Sequence, residues 1–180
     1  VMSAAAKNLT PVTLELGGKS PCIVHDDAKL DITVNRIVCS KFLNAAQTCV
    51  APDYVLVHKS VKEAFLSKLK DRIIKTYGED ASTSSDFARI VSDNHFQRIC
   101  GLIDQQKVIV GGQHNAESRF IAPTVMRDVT LTDKVMSEEI FGPVLTVLEY
   151  ESLDEVYKLV DQLPHHPLAC YIFSESTLIQ

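Results

Sequence analysis

No stretch of this sequence is apolar for long enough to cross a bilayer as a helix. The longest apolar runs, such as residues 144–148, are strand-sized, far short of the ~20 residues a spanning helix needs. A basic cluster is missing too: Lys and Arg are scattered and interleaved with Asp and Glu, and the formal net charge is -5. Nucleic-acid phosphates need clustered cations, so that class of partner is disfavoured. The five cysteines, Cys22, Cys39, Cys49, Cys100 and Cys170, include no C-x-x-C pair. An odd number without paired spacing indicates neither a disulfide framework nor a zinc site, and fits a reducing compartment. The six histidines show no ligand spacing. His165-His166, between Pro164 and Pro167, reads as loop, and no metal is expected. Nor is there a G-x-G-x-x-G loop to cradle a dinucleotide's phosphates, an internal repeat or a low-complexity tract.

What remains is an ordinary globular composition, 46% hydrophobic and 23% charged over 180 residues, enough for one domain with a core. Residues 12–16 and 21–24 are short β-prone runs separated by Gly17-Gly18. Over residues 30–45 the period becomes helical, with Val34, Ile37, Val38 and Phe42 on one stripe. A strand is expected at 54–58, then a helix capped by Ser60, carrying Val61, Phe65, Leu69 and Ile73 and ended by Gly78. Residues 79–91 read as a polar loop. The next helix is capped by Ser92 and presents Phe96, Ile99, Cys100 and Ile103. Strands follow at 108–110, at 120–126 with an interruption at Pro123, and at 144–150. Ser152 caps a last full helix before Pro164, and a strand at 168–173 precedes what reads as the first turn of another helix. Strands alternating with helices imply an α/β fold, its largely parallel sheet covered on both faces.

Three segments carry residues suited to chemistry. Leu14-Glu15-Leu16-Gly17-Gly18-Lys19-Ser20-Pro21 sets a carboxylate at a strand end before two glycines, which permit a tight turn or a close backbone approach. Glu15 is then a candidate general base, although an exposed Glu before an ordinary turn has the same pattern. Phe42-Leu43-Asn44-Ala45-Ala46-Gln47-Thr48-Cys49 lies where a helix gives way to a loop. A nucleophilic cysteine must be thiolate, and loop N–H groups stabilise both thiolate and oxyanion; a lone Cys is more commonly a small buried hydrophobe. The other four cysteines fall among apolar neighbours in expected strands or helices and read as buried hydrophobes. In Glu138-Glu139-Ile140-Phe141-Gly142-Pro143 a carboxylate can accept two ribose hydroxyls while the aromatic ring lies against a nicotinamide. A solvated helix end with a core Phe is the plainer alternative.

Together the segments resemble, in order and spacing, the glutamate signature, the cysteine signature and the cofactor-contacting loop of the aldehyde dehydrogenase superfamily. Pro11-Val12-Thr13-Leu14-Glu15, Ala51-Pro52-Asp53-Tyr54-Val55, Phe120-Ile121-Ala122-Pro123-Thr124-Val125 and Lys134-Val135-Met136 look closest to its class 3 and fatty-aldehyde branch. The resemblance covers essentially the whole chain. It implies a catalytic domain over residues 15–180, incomplete at its C-terminal end, and a remnant of the cofactor-binding domain and linker over 1–14. It also implies NAD or NADP as cofactor, an aldehyde substrate, a homodimer and a cytoplasmic location, with a membrane tail beyond this chain in the fatty-aldehyde branch.

By the same resemblance Cys49 attacks the aldehyde, and its own N–H and an upstream Asn hold the oxyanion. Glu15 activates water against the thioester, while Glu139 and Phe141 contact the cofactor; Glu139 is the second candidate base. Lys19 matches the motif without an assigned role. Without most of the cofactor domain the chain is expected to be inactive alone. One position departs from the family pattern Asn-x-Gly-Gln-x-Cys: Ala46 stands where the Gly belongs, a cost of about 1 kcal/mol if φ there is positive. Two rival functions share these motifs. A non-catalytic member with a binding or structural role is favoured by Ala46 alone. A dehydrogenase that passes its thioester to coenzyme A is disfavoured by an intact Glu15.

Overall fold

A computed structural model describes residues 1–163 and 167–179. The reading of His165-His166 lies outside them. A short exposed helix α1 (Met2–Ala6) comes first, followed by a turn and an irregular segment to β1 (Pro21–Val24). Helix α2 (Leu30–Phe42) leads to β2 (Tyr54–His58), and α3 (Lys62–Tyr77) and α4 (Asp93–Cys100) follow. The strands β3 (Val108–Val110), β4 (His114–Asn115), β5 (Phe120–Ile121) and β6 (Thr124–Met126) are short. The chain closes with β7 (Val144–Tyr150), α5 (Leu153–Asp161) and β8 (Tyr171–Phe173). Among the described residues no helix is long and apolar enough to cross a membrane.

Among the described residues the main sheet has six strands in the order β3-β6-β7-β2-β1-β8, and β4 pairs with β5 in a separate ribbon. All neighbours in the main sheet are parallel except β3 and β6. The step from β1 to β2 runs one way across the sheet and that from β7 to β8 the other. Right-handed crossovers therefore put α2 and α5 on opposite faces, as expected from the alternation of strands and helices. Covered on both sides, the central strands bury every side chain from Tyr54 to Val57 and from Val144 to Leu148, which is why they read as continuous apolar runs.

Several local expectations hold. Ser92 and Ser152 accept from His95 N and Glu155 N as helix caps. Gly78, at φ 84°, ends α3. Pro123 separates β5 from β6. Others change. Residues 12–16 form no strand, and Val12, Leu14 and Leu16 are exposed; β propensity makes a strand only where a neighbour completes the ladder, and none of the described residues does so. Ser60 does not cap α3. It lies in a 3-10 turn whose Ser60 N–H donates to the His58 ring. Helix α2 stops at Phe42 because Asn44, Ala45 and Ala46 all take positive φ, 53°, 51° and 58°. The loop 79–91 adds Ala81, Phe87 and Ile90 to the hydrophobic core, with Phe87 edge-on to Tyr77 and Phe120. Residues 177–179 are turn, and no helix begins there among the described residues.

Candidate active site

Each of the three sequence motifs leads into a strand: 14–21 ends in β1, 42–49 reaches β2 through residues 50–53, and 138–143 runs directly into β7. These strands are parallel and adjacent, with Pro21 opposite Tyr54 and Tyr54 opposite Thr146. Their amino ends therefore share one edge of the sheet, and segments more than a hundred residues apart meet there.

A buried ion pair ties them together. The Lys19 ammonium, 1% exposed, contacts the Asp53 carboxylate and also donates to Val135 O at 3.1 Å and Glu138 O at 2.8 Å. The other Asp53 oxygen accepts from Ile140 N at 2.9 Å, and Asp53 N donates to Ser20 O at 2.9 Å. Asp53 thus bonds to both neighbouring motifs. Breaking such a pair by removing one member leaves a buried, uncompensated charge. Lys19 acquires its role here, and Asp53 is a site residue that sequence reasoning passed over.

Neither Gly17 nor Gly18 has positive φ, and Gly17 serves a close approach rather than a turn. A Cβ on Gly17 would lie 2.0 Å from Glu139 Oε2, and Gly18 N–H donates to the same carboxylate. Burial raises the Glu139 carboxyl above its usual range; Asp53 adds to this, while the Gly18 N–H, Lys19 and Arg98 oppose it. Glu15 precedes these glycines on an exposed, irregular segment rather than at a strand end.

Cys49 sits exposed in a turn. Its loop is fixed from both sides. The Gln47 amide donates to Asn44 O and Arg89 O, both at 3.1 Å, and accepts from Val91 N at 2.9 Å. Tyr171, on β8, donates its hydroxyl to Val50 O at 2.6 Å. Gln47 had a sequence signal, its place in the cysteine motif; Tyr171 had none. The buried-hydrophobe reading of the other cysteines holds for Cys22 only. Cys39 and Cys170 are exposed and Cys100 is partly so, because Cys39 lies off the buried stripe of α2 and Cys170 precedes an edge strand.

Two more groups join the site unannounced by any motif. Lys41, 1% exposed on the last turn of α2, is pushed down to about 8 by burial; Asp53 and Glu139 oppose the shift and Lys19 adds to it. Helix α4 faces the third motif. His95 Nε2 lies 2.7 Å from Phe141 O, and Arg98 donates to the carbonyls of Glu139 and Ile140. Phe141 itself is held at φ 50°. The geometry thus sets an exposed thiol, a partly buried carboxylate and an aromatic ring on loops at one sheet edge.

Comparison with known proteins shows the family and the fold. The family model described as "Aldehyde dehydrogenase family" matches residues 1–178. The chain is 52% identical over 176 residues to the rat (Rattus norvegicus) "Aldehyde dehydrogenase, dimeric NADP-preferring", covering 98% of this chain and 39% of that protein. It is 47% identical to "Aldehyde dehydrogenase family 3 member A2" of Macaca fascicularis, covering 98% of this chain and 36% of that one. Among solved structures, the substrate-bound state of Staphylococcus aureus AldH superposes with a TM-score of 0.95 at 43% identity, over 99% of this chain and 39% of the other. The chain therefore spans less than two fifths of the length of these relatives.

Proposed function

The chain belongs to the aldehyde dehydrogenase family, and we propose that it forms the catalytic part of an enzyme oxidising an aldehyde to a carboxylic acid with NAD or NADP. Residues 15–180 act as the catalytic domain and 1–14 as the end of a cofactor domain and its linker. The observation that carries the reading is the meeting of the three motif loops at the amino ends of β1, β2 and β7, with the Cys49 thiol exposed there.

The Cys49 thiolate attacks the carbonyl carbon, and the Cys49 N–H stabilises the oxyanion of the thiohemiacetal. When bound, the nicotinamide supplies the hydride acceptor that turns this adduct into a thioester. Water activated by a carboxylate then breaks the carbon–sulfur bond, releasing the acid and restoring the thiolate. In this reading Glu15 is the base. The half-buried Glu139 carboxylate would accept from ribose hydroxyls and the Phe141 ring would pack against the nicotinamide; a carboxylate and an aromatic ring two residues apart suit one nucleoside. The relative named dimeric supports a homodimer, and the odd, unpaired cysteines support a cytoplasmic location.

One observation favours a second assignment: burial raises the Glu139 carboxyl, which makes it the better proton acceptor near neutral pH. Rapid-mixing absorbance of the reduced nicotinamide separates the two. With Glu15 as base, Glu15→Gln keeps a burst of about one per site and then stalls as the acyl-thioester, whereas Glu139→Gln loses the burst. The reverse pattern exchanges the roles, and a Cys49→Ser variant with full turnover would remove the mechanism altogether.

A further inference from the structure

We propose that His95 and Arg98 of α4 are positioning residues that hold the 138–142 loop so that Glu139 and Phe141 face the cofactor. The proposal rests on the reading of those two residues as cofactor contacts, and it identifies what fixes them.

Three successive carbonyls of the loop are taken up by two side chains of one helix. Arg98 Nη1 donates to Glu139 O at 3.3 Å, Arg98 Nη2 donates to Ile140 O, and His95 Nε2 donates to Phe141 O at 2.7 Å. The guanidinium also reaches the Glu138 carboxylate at 3.1 Å. The two residues support each other, since Arg98 Nε donates to His95 Nδ1 at 3.3 Å. His95 is thereby committed to the tautomer with its proton on Nε2, the one that can donate to Phe141 O. Its ring lies edge-on to Phe141, with centroids 6.0 Å apart. One turn on, Ile99 Cδ1 would lie 2.5 Å from a Cβ on Gly142, so the glycine lets the helix come this close.

The grip has a task to perform. Phe141, a bulky non-glycine residue, stands at φ 50°. Such a conformation persists only where its surroundings over-determine it. Relaxed to negative φ, the peptide would redirect the Phe141 ring and the adjoining backbone. On its other side the loop is held by Lys19 and Asp53 through Glu138 O and Ile140 N. Those contacts fix its first half, while α4 alone among the described residues bonds to Phe141 O. Nothing in the spacing of His95 and Arg98 predicts this, because their loop partners lie forty or more residues away.

The test pairs His95→Ala, which removes the donor, with His95→Gln, which keeps an N–H within reach of Phe141 O. Hydrogen exchange of the 138–142 peptide is measured without cofactor, and KM and kcat are measured with cofactor and aldehyde in the full protein, cofactor domain included. His95→Ala is expected to speed exchange of that peptide about tenfold while β2 and β7 stay protected, and to raise the cofactor's KM by about tenfold with a smaller effect on kcat. His95→Gln should restore both to within about threefold. Should His95→Ala fail to fold, Arg98→Lys, which loses the planar fork, should give the same local exchange. Unchanged exchange at 138–142, equal acceleration across the whole chain, or an unaltered cofactor KM in an active enzyme overturns the proposal. If the unsubstituted protein, tested together with its cofactor domain, oxidises no aldehyde, the functional reading fails, and the exchange data alone decide whether α4 holds the loop.

Discussion

Ala46 is buried at φ 58° and follows two further left-handed residues. A Cβ in that conformation crowds the following carbonyl and costs of the order of 1–2 kcal/mol. The family pattern has Gly at this position, so the departure is a strained backbone rather than a neutral exchange. Glycine relieves the strain and loses ~0.4–1 kcal/mol through the freer unfolded chain. Ala46→Gly should therefore gain ~0.5–1 kcal/mol in urea unfolding. A loss of stability would mean the residue rests comfortably where it is. The turn survives the strain because Gln47 bonds to Asn44, Arg89 and Val91. A motif glutamine that looked like a catalytic neighbour is thus also a brace, and only the fold reveals its partners.

At the level of elements, the site depends on three loops feeding adjacent parallel strands and on one ion pair that joins them. Lys19 and Asp53 are 34 residues apart and both almost fully buried. Asp53→Leu strands the ammonium, and Lys19→Met strands the carboxylate. Each should cost about 3–5 kcal/mol in denaturant unfolding, and the double substitution should recover much of that loss. Additive losses would mean that the pair is not coupled. The strands around this pair were legible in advance because burial on both faces leaves an unbroken apolar run. Residues 12–16 carried the same β-prone composition and form no strand. Composition reports a preference, whereas a ladder requires a partner. The third motif showed a similar limit. Its carboxylates and ring were visible as candidates, yet the helix that grips its carbonyls offered no more than an ordinary amphipathic stripe.

For the whole molecule, the chain matches less than two fifths of its curated relatives' length, and no phosphate-cradling glycine loop appears in its sequence. Glu139 and Phe141 can touch a nucleoside but supply no donors for its pyrophosphate. Calorimetric titration of this 180-residue chain should therefore show NAD and NADP binding weaker than ~10 μM, about -7 kcal/mol. Tighter binding would place a phosphate site within these residues. The sequence by itself determined the alternation of strands and helices, the chemical identity of the motif residues and the family they belong to, because periodicity and short motifs are local and written in order along the chain. The tertiary structure decided that Gly17 makes room for Glu139, that Lys19 meets Asp53 in the core, that residues 44–46 turn left-handed and that α4 holds Phe141. Each of these depends on chain segments arriving together from different strands, and steric space and dielectric surroundings exist only once they have packed.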